Sequence, residues 1–251
     1  MGGDLGRRVF LLNPPSVVEQ ELMDALLAEE FEVYLLKDPA KARLVFAKYP
    51  DSIVFIGIDG LYGEPVWERY IRELLADRKA PDLRVGVLSY NTDERLAEKY
   101  LLTLGVQCGY VALKTGVSES TKIMLRVLEA NEARGRRRYV RARCAHDALT
   151  SFNVHLATGR LSGRILDISS VGMAVRFSSY VDLPAKTLLR DVQLKLHATL
   201  VRLDAVILGR REDDAGIHII VFRAGPEDER ARHRIRQYIH AMLQRSIESI
   251  A

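Results

Sequence analysis

The chain has 251 residues, 48 % hydrophobic and 28 % charged. That composition can bury one large core or two small ones, and it excludes wholesale disorder. Two cysteines, Cys108 and Cys144, share no metal-ligand spacing and make no disulfide scaffold, so reduced thiols in a cytoplasm are expected.

Apolar runs stop at about seven residues (Ser52–Ile58 is typical), against the ~20 that span a bilayer. Val9–Leu12 is too short for a signal-peptide core, and a myristoylation pattern at Gly2 fails at Gly6. A cytoplasmic protein without membrane insertion is expected. Charge is uneven along the chain. Residues 1–130 carry 16 Lys/Arg against 20 Asp/Glu, and residues 131–251 carry 21 against 13. The second half, at net +8, should face something anionic.

The first half alternates strand and helix patterns. Short apolar runs at Val9–Leu12, Phe31–Leu36, Ser52–Ile58, Arg84–Leu88 and Gly109–Leu113 predict strands buried on both faces. Between them, helices are predicted at Ser16–Glu29 (capped by Ser16), Ala40–Lys48, Pro65–Asp77, Thr92–Leu104 (capped by Thr92 or Asp93, stopped by Gly105) and Ser118–Glu132. Five such units make a doubly wound α/β domain, residues 1–132.

From residue 133 the pattern changes. Strands are predicted at Tyr139–Ala145, Arg164–Ile168, Met173–Phe177, Val192–Leu196, Thr199–Leu208 and Ile217–Phe222, punctuated by glycine and proline. A helix over Glu227–Ser246 follows, with Ile235, Tyr238, Ile239 and Met242 on one stripe. Residues 133–251 therefore read as an antiparallel β-barrel with a terminal helix.

Residues 134–143 read Arg-Gly-Arg-Arg-Arg-Tyr-Val-Arg-Ala-Arg. Such a run is a solvated linker, a non-specific phosphate binder or a nucleotide site. Guanidinium forks suit phosphate oxygens and the O6/N7 edge of guanine, and their planes stack on bases. Further on stands Asp167-Ile168-Ser169-Ser170-Val171-Gly172, either a strand-end turn or an acid–hydroxyl pair for a guanine edge with a glycine for the turn.

Together, Arg137-x-x-x-Arg141 and Asp167-x-Ser169-x-x-Gly172 resemble the PilZ domain family, which binds cyclic di-GMP. The resemblance extends over about residues 134–245 and includes Ala215-Gly216-Ile217-His218, Phe222 and the terminal helix. It implies that Arg137 and Arg141 contact phosphates and guanine faces, with Arg136 assisting. It also implies that Asp167 and Ser169 hold a guanine edge and that Gly172 shapes the turn. Arg134 and Arg138 form a second pair of the same spacing, so both registers stay open.

The first domain resembles a response-regulator receiver with departures. Asn13-Pro14-Pro15 stands where a receiver has its acidic pair, and Asp59 falls two or three residues past the phosphoacceptor place. Ser89 and Lys114 lie near the usual Ser/Thr and Lys places. Without the acidic pair the Mg²⁺ site is lost. A degenerate interaction module is expected, with Asp59 phosphorylation as the alternative.

The six histidines lack metal-ligand spacing, and no Ser-His-Asp or P-loop pattern supports hydrolysis. The expectation is a cyclic di-GMP receptor that is not an enzyme, needs no cofactor or metal, and engages a protein partner through its first domain. The Arg137–Arg141 segment lies at the domain boundary, so the nucleotide is expected to change domain arrangement. Nucleic-acid binding by the basic half is the alternative, and a less favoured one.

Overall fold

The computed structural model describes residues 6–250 apart from Leu61, Arg136, Arg137, Thr158, Ala224, Pro226 and Glu227, and excepting the side chains of Thr115 and Val117. The chain divides into two compact units. One comprises residues 1–138 with 243–251, the other residues 139–242.

The first unit is a five-stranded parallel sheet: β1 (Val9–Leu12), β2 (Val33–Leu36), β3 (Ile53–Gly57), β4 (Arg84–Ser89) and β5 (Tyr110–Ala112), in the order β2-β1-β3-β4-β5. Period-two alternation sends side chains into two apolar layers. Phe10, Leu12, Val54, Ile56, Val85 and Val87 face one side, where α2 (Pro39–Lys48) and α3 (Glu64–Leu75) supply Phe46, Trp67 and Ile71. Val9, Leu11, Ile53, Phe55 and Leu88 face the other, covered by α1 (Ser16–Ala28) and α5 (Val117–Ala130) through Leu22, Leu26, Met124 and Leu128. This is the doubly wound architecture that the sequence pattern predicts.

Details differ from the expected helix ends. Pro15, not Ser16, precedes the first turn of α1, and Gly116, not Ser118, precedes that of α5. Thr92–Leu104 is not one regular helix. α4 covers Glu94–Glu98, with the Asp93 carboxylate accepting from the Arg95 amide, and Lys99–Leu104 continues as a π-turn. Gly105 ends it in the left-handed conformation, at φ 72°.

In this strand order the crevice between β1 and β3 is where an open α/β sheet receives ligands. Here the Asn13 backbone closes it. Asn13 sits at φ 49° and donates from Nδ2 to the Gly57 carbonyl at 3.1 Å. A Cβ on Gly57 would lie 2.1 Å from the Asn13 carbonyl oxygen. Gly57→Ala is therefore expected to destabilise this unit by about 2–3 kcal/mol through overpacking. Thermal unfolding checks this, and an unchanged melting temperature would contradict the close approach.

The terminal helix α6 spans Glu229–Glu248. The sequence pattern gave all of it to the second domain, but its last turns belong to the first unit. The reason is Ile247, 1 % exposed in the layer that holds Phe46, Trp67 and Tyr100, with Leu243 and Ile250 beside it. Gln244 also brackets the backbone of edge strand β2. It accepts from the Leu35 amide at 3.0 Å and donates to the Leu35 carbonyl at 2.8 Å.

The second unit is antiparallel throughout. It contains β6 (Arg141–Arg143), β7 (Thr150–Leu156), β8 (Gly159–Ser169), β9 (Gly172–Phe177), β10 (Leu188–Leu196), β11 (Thr199–Arg210) and β12 (His218–Phe222). The order β8-β7-β10-β11-β12-β9 closes through β8–β9 pairing into a six-stranded barrel, and β6 joins β8 alongside β7. β7 was absent from the sequence expectation. Thr150, Phe152 and Val154 point inward, but Ser151, Asn153 and His155 between them dilute the pattern. Ile235, Tyr238 and Ile239 of α6 are buried, as the predicted stripe requires.

His218 opens β12, 4 % exposed and edge-on to the Phe177 ring. Burial, helped by the Arg210 charge, holds its pKa below the ordinary 6.5. The unfolded chain thus takes up a proton at a pH where the folded one does not. Stability should be full above about pH 6.5 and fall as the pH drops below it. Urea midpoints read from pH 7 downward check this; His218→Gln should flatten the slope.

Both cysteines are free and buried, and burial pushes the Cys108 thiol up to about 11. No helix among the described residues is long and apolar enough to cross a membrane.

Candidate functional site

Asp167 owes its position to a β-bulge. Gly163 and Ile165 point into the barrel, so strict alternation would bury residue 167. Between Ile165 and Asp167, however, β8 advances two residues while β9 advances one, from Val175 to Ala174. The extra residue, Leu166, inverts the parity. Ile168 turns inward, and Asp167 and Ser169 take the opposite side of the strand, Asp167 half-buried and Ser169 covered.

β6 then lays its arginines over this face. Arg141 pairs with Ser169 and Arg143 with Asp167, while Ala142 between them is buried. Arg141 Nη1 lies 3.5 Å from Asp167 Oδ1. A cation the sequence reading did not include, Arg211 beyond the end of β11, places Nη2 4.0 Å from Asp167 Oδ2. The carboxylate is thus set between two guanidinium groups, with about a fifth of its side chain exposed. An exposed ion pair of this kind adds little stability. It does hold two forked donors beside an acceptor.

Ser169 is buried, and its hydroxyl donates to the Gly172 carbonyl at 3.1 Å across the Ser170-Val171 turn. The hydroxyl oxygen keeps its acceptor capacity. Gly172 has no room for a side chain, because a Cβ would lie 2.5 Å from the Ile220 carbonyl oxygen on β12. Glycine is thus required here by close approach of a neighbouring strand.

Of the expected site residues, Arg141, Asp167, Ser169 and Gly172 come together at the β6–β8–β9 corner. Arg136 and Arg137 lie outside the described residues. Arg134, the rival start of the four-residue spacing, is occupied within the first unit. Its Nη2 lies 3.0 Å from Glu29 Oε2, and its guanidinium sits 4.9 Å from the centre of the Phe31 ring.

In the first unit both Asp59 oxygens are engaged. Oδ1 accepts from the Ser89 hydroxyl at 2.7 Å and Oδ2 from the Tyr90 amide at 2.6 Å. Lys114 is exposed in the short 3₁₀ turn after β5. Among the described residues, no group of three or more His, Cys, Asp or Glu side chains is arranged to hold a metal ion.

Comparison with known proteins places a PilZ domain at residues 135–241. No curated protein matches the chain. Among solved structures, the second half is similar to the PilZ domain with c-di-GMP of YcgR from Escherichia coli, at 16 % identity and a TM-score of 0.38, covering 45 % of this chain and 96 % of that one. It is also similar to the K. pneumonia MrkH–c-di-GMP complex, at 20 % identity and a TM-score of 0.38, covering 47 % of this chain and 57 % of that one. The chain thus spans little more than half the length of MrkH. The first half is similar to a response regulator from Desulfuromonas acetoxidans, at 16 % identity and a TM-score of 0.40, covering 49 % of this chain and 98 % of that one. Residues 135–241, which hold the barrel, thus match the PilZ domain model, and the first unit is a five-stranded parallel α/β sheet.

Proposed function

We propose that this protein is a cyclic di-GMP receptor that relays occupancy of its PilZ site to its own domain arrangement or to a protein partner, with no catalysis of its own. The observation that carries the reading is the convergence of Arg141, Asp167 and Ser169 on one outer corner of a PilZ domain. Asp167 accepts from the N1–H and N2–H₂ edge of guanine, with Ser169 as a further acceptor. Arg141 and Arg137 take phosphate oxygens and a guanine face, and Arg136 assists. Charge-assisted hydrogen bonds contribute about 1.5–3 kcal/mol each. Four or five of them supply the about 8 kcal/mol of micromolar binding after the arginine segment is ordered. Calorimetric titration of the full chain with cyclic di-GMP tests this; absence of binding heat at several temperatures would refute it.

Arg137 and Arg141 flank the point, between Arg138 and Tyr139, where the chain passes from one unit to the other. A ligand held by both arginines restrains the backbone at that junction, which is the proposed route from binding to response. Small-angle scattering with and without ligand should differ; superimposable curves would remove the coupling.

The first unit acts in this scheme as a docking module, because Asp59 spends both oxygens on Ser89 and Tyr90. Labelling of Asp59 by acetyl phosphate would overturn that part.

A further inference from the structure

The barrel carries a second cationic region on its outer surface, along the first half of β8 and across β7 and β10. Alternation builds it. Phe152, Val154, Gly163, Leu194 and Leu196 turn inward, which forces the residues between them outward.

The register lays these residues in rows. Gln193 lies opposite both Asn153 and Arg202, and Asn153 lies opposite Ser162. Lys195 lies opposite Ser151 on one side of that row, and Arg160 lies opposite His155 on the other. Arg164 is the next outward position after Ser162. At ordinary strand rise and spacing, Arg160 and Arg164 stand about 13 Å apart along β8, and Lys195 stands about 10 Å away, two strands over. A hollow of about 610 Å³ beside Arg160 and Arg164 is lined by these two and by Ser151, Asn153 and Ser162 among others, with Lys195 outside its lining.

Arg202 is partly neutralised, its Nε lying 4.0 Å from Asp191 Oδ1 on β10, but the other cations here are not. Arg160, Arg164 and Lys195 are exposed, and no ion pair or side-chain hydrogen bond engages them among the described residues. Asp147 also borders the hollow, but its carboxylate is taken by His197, the Tyr238 hydroxyl and the Leu149 amide. A surface that gathers unpaired cations around short hydroxyl and amide side chains offers the donor set that phosphate oxygens use.

We propose that this face binds the phosphodiester backbone of a nucleic acid. Serine, asparagine and glutamine between the cations provide hydrogen bonds to phosphate. No phenylalanine, tyrosine or tryptophan stands among the outward positions, where His155 is the sole ring, so no platform for stacking successive bases is formed. The exposed apolar residues that border the face, Leu188 on β10 and Leu200 opposite Lys195, are single side chains and not a continuous surface to insert into a bilayer. The cations come from β8 and β10, more than 30 residues apart in the chain, so the sequence alone does not show them as one surface. The face is distinct from the Arg141–Asp167 corner.

The test uses the full-length protein and a fluorescein-labelled DNA duplex of about 20 base pairs and arbitrary sequence, with anisotropy read between about 50 and 200 mM salt. Binding should weaken steeply with salt and be indifferent to sequence. The double variant Arg160→Ala/Lys195→Ala should lower the log–log salt slope by about 2 and weaken binding about tenfold or more at low salt. Its melting temperature and its affinity for cyclic di-GMP should match wild type. Wild-type protein that leaves the duplex free at about 50 mM salt overturns the proposal, as does a double variant with the parent slope. Binding to phosphatidylserine vesicles but not to DNA assigns the face to membranes. Loss of cyclic di-GMP affinity with DNA binding unchanged assigns it to the dinucleotide; both outcomes reject the inference.

Discussion

Arg141→Ala is expected to abolish measurable cyclic di-GMP binding while the barrel stays folded. Among the described residues, Arg141 is the expected ligand arginine placed directly against Asp167, at 3.5 Å. Losing two charge-assisted hydrogen bonds removes about 3–6 kcal/mol, two to four decades of affinity. A micromolar site then weakens to between about 0.1 and 10 mM. The fold should survive because β6 pairs with β8 through its backbone, and Arg141 is about half exposed. Asp167 is not stranded either, since Arg211 remains 4.0 Å away. Calorimetric titration beside a thermal melt reads both halves of the prediction. Unchanged affinity would move the ligand away from this corner.

Ending the chain after Met242 is expected to unfold the first unit at temperatures that the 251-residue chain tolerates. The cut removes Ile247, which is almost wholly buried among Phe46, Trp67 and Tyr100. Deleting a buried isoleucine side chain costs about 2–5 kcal/mol even when only alanine replaces it. The cut also removes the two Gln244 hydrogen bonds to Leu35, worth about 1 kcal/mol each. Against a typical stability of about 5–15 kcal/mol, that loss is a large share. The melting temperature of this unit should fall by more than about 10 °C. Ile247→Ala should give an intermediate shift. A truncated chain that melts like the parent would show that the last nine residues add nothing to this core.

Much of the architecture was legible because burial on both faces of a sheet leaves strands almost wholly apolar. Val9–Leu12 and Ile53–Gly57 announce themselves for that reason. β7 did not, because every second residue from Ser151 to His155 is polar and turned outward. The Arg-x-x-x-Arg and Asp-x-Ser-x-x-Gly spacings named the corner where Arg141, Asp167, Ser169 and Gly172 meet. They did not reveal how Asp167 reaches the surface, because a bulge is defined by the partner strand and leaves no mark on β8 itself. Arg211 escaped for a related reason. It lies 44 residues beyond Asp167 and approaches only once β11 and β12 have closed the barrel. The end of α6 was misplaced because a helical stripe shows which side is buried, not which core receives it.

The split allegiance of α6 sets an order of events during synthesis. Residues 1–138 leave the ribosome first, but their apolar layer lacks Ile247 until residues 243–251 emerge. The barrel, contained in residues 139–242, is fully translated sooner. Nascent chains fold domain by domain, usually from the N-terminal end. Here the unit begun first is finished after the barrel, and synthesis halted between residues 242 and 247 should yield a sound barrel behind an unsealed partner.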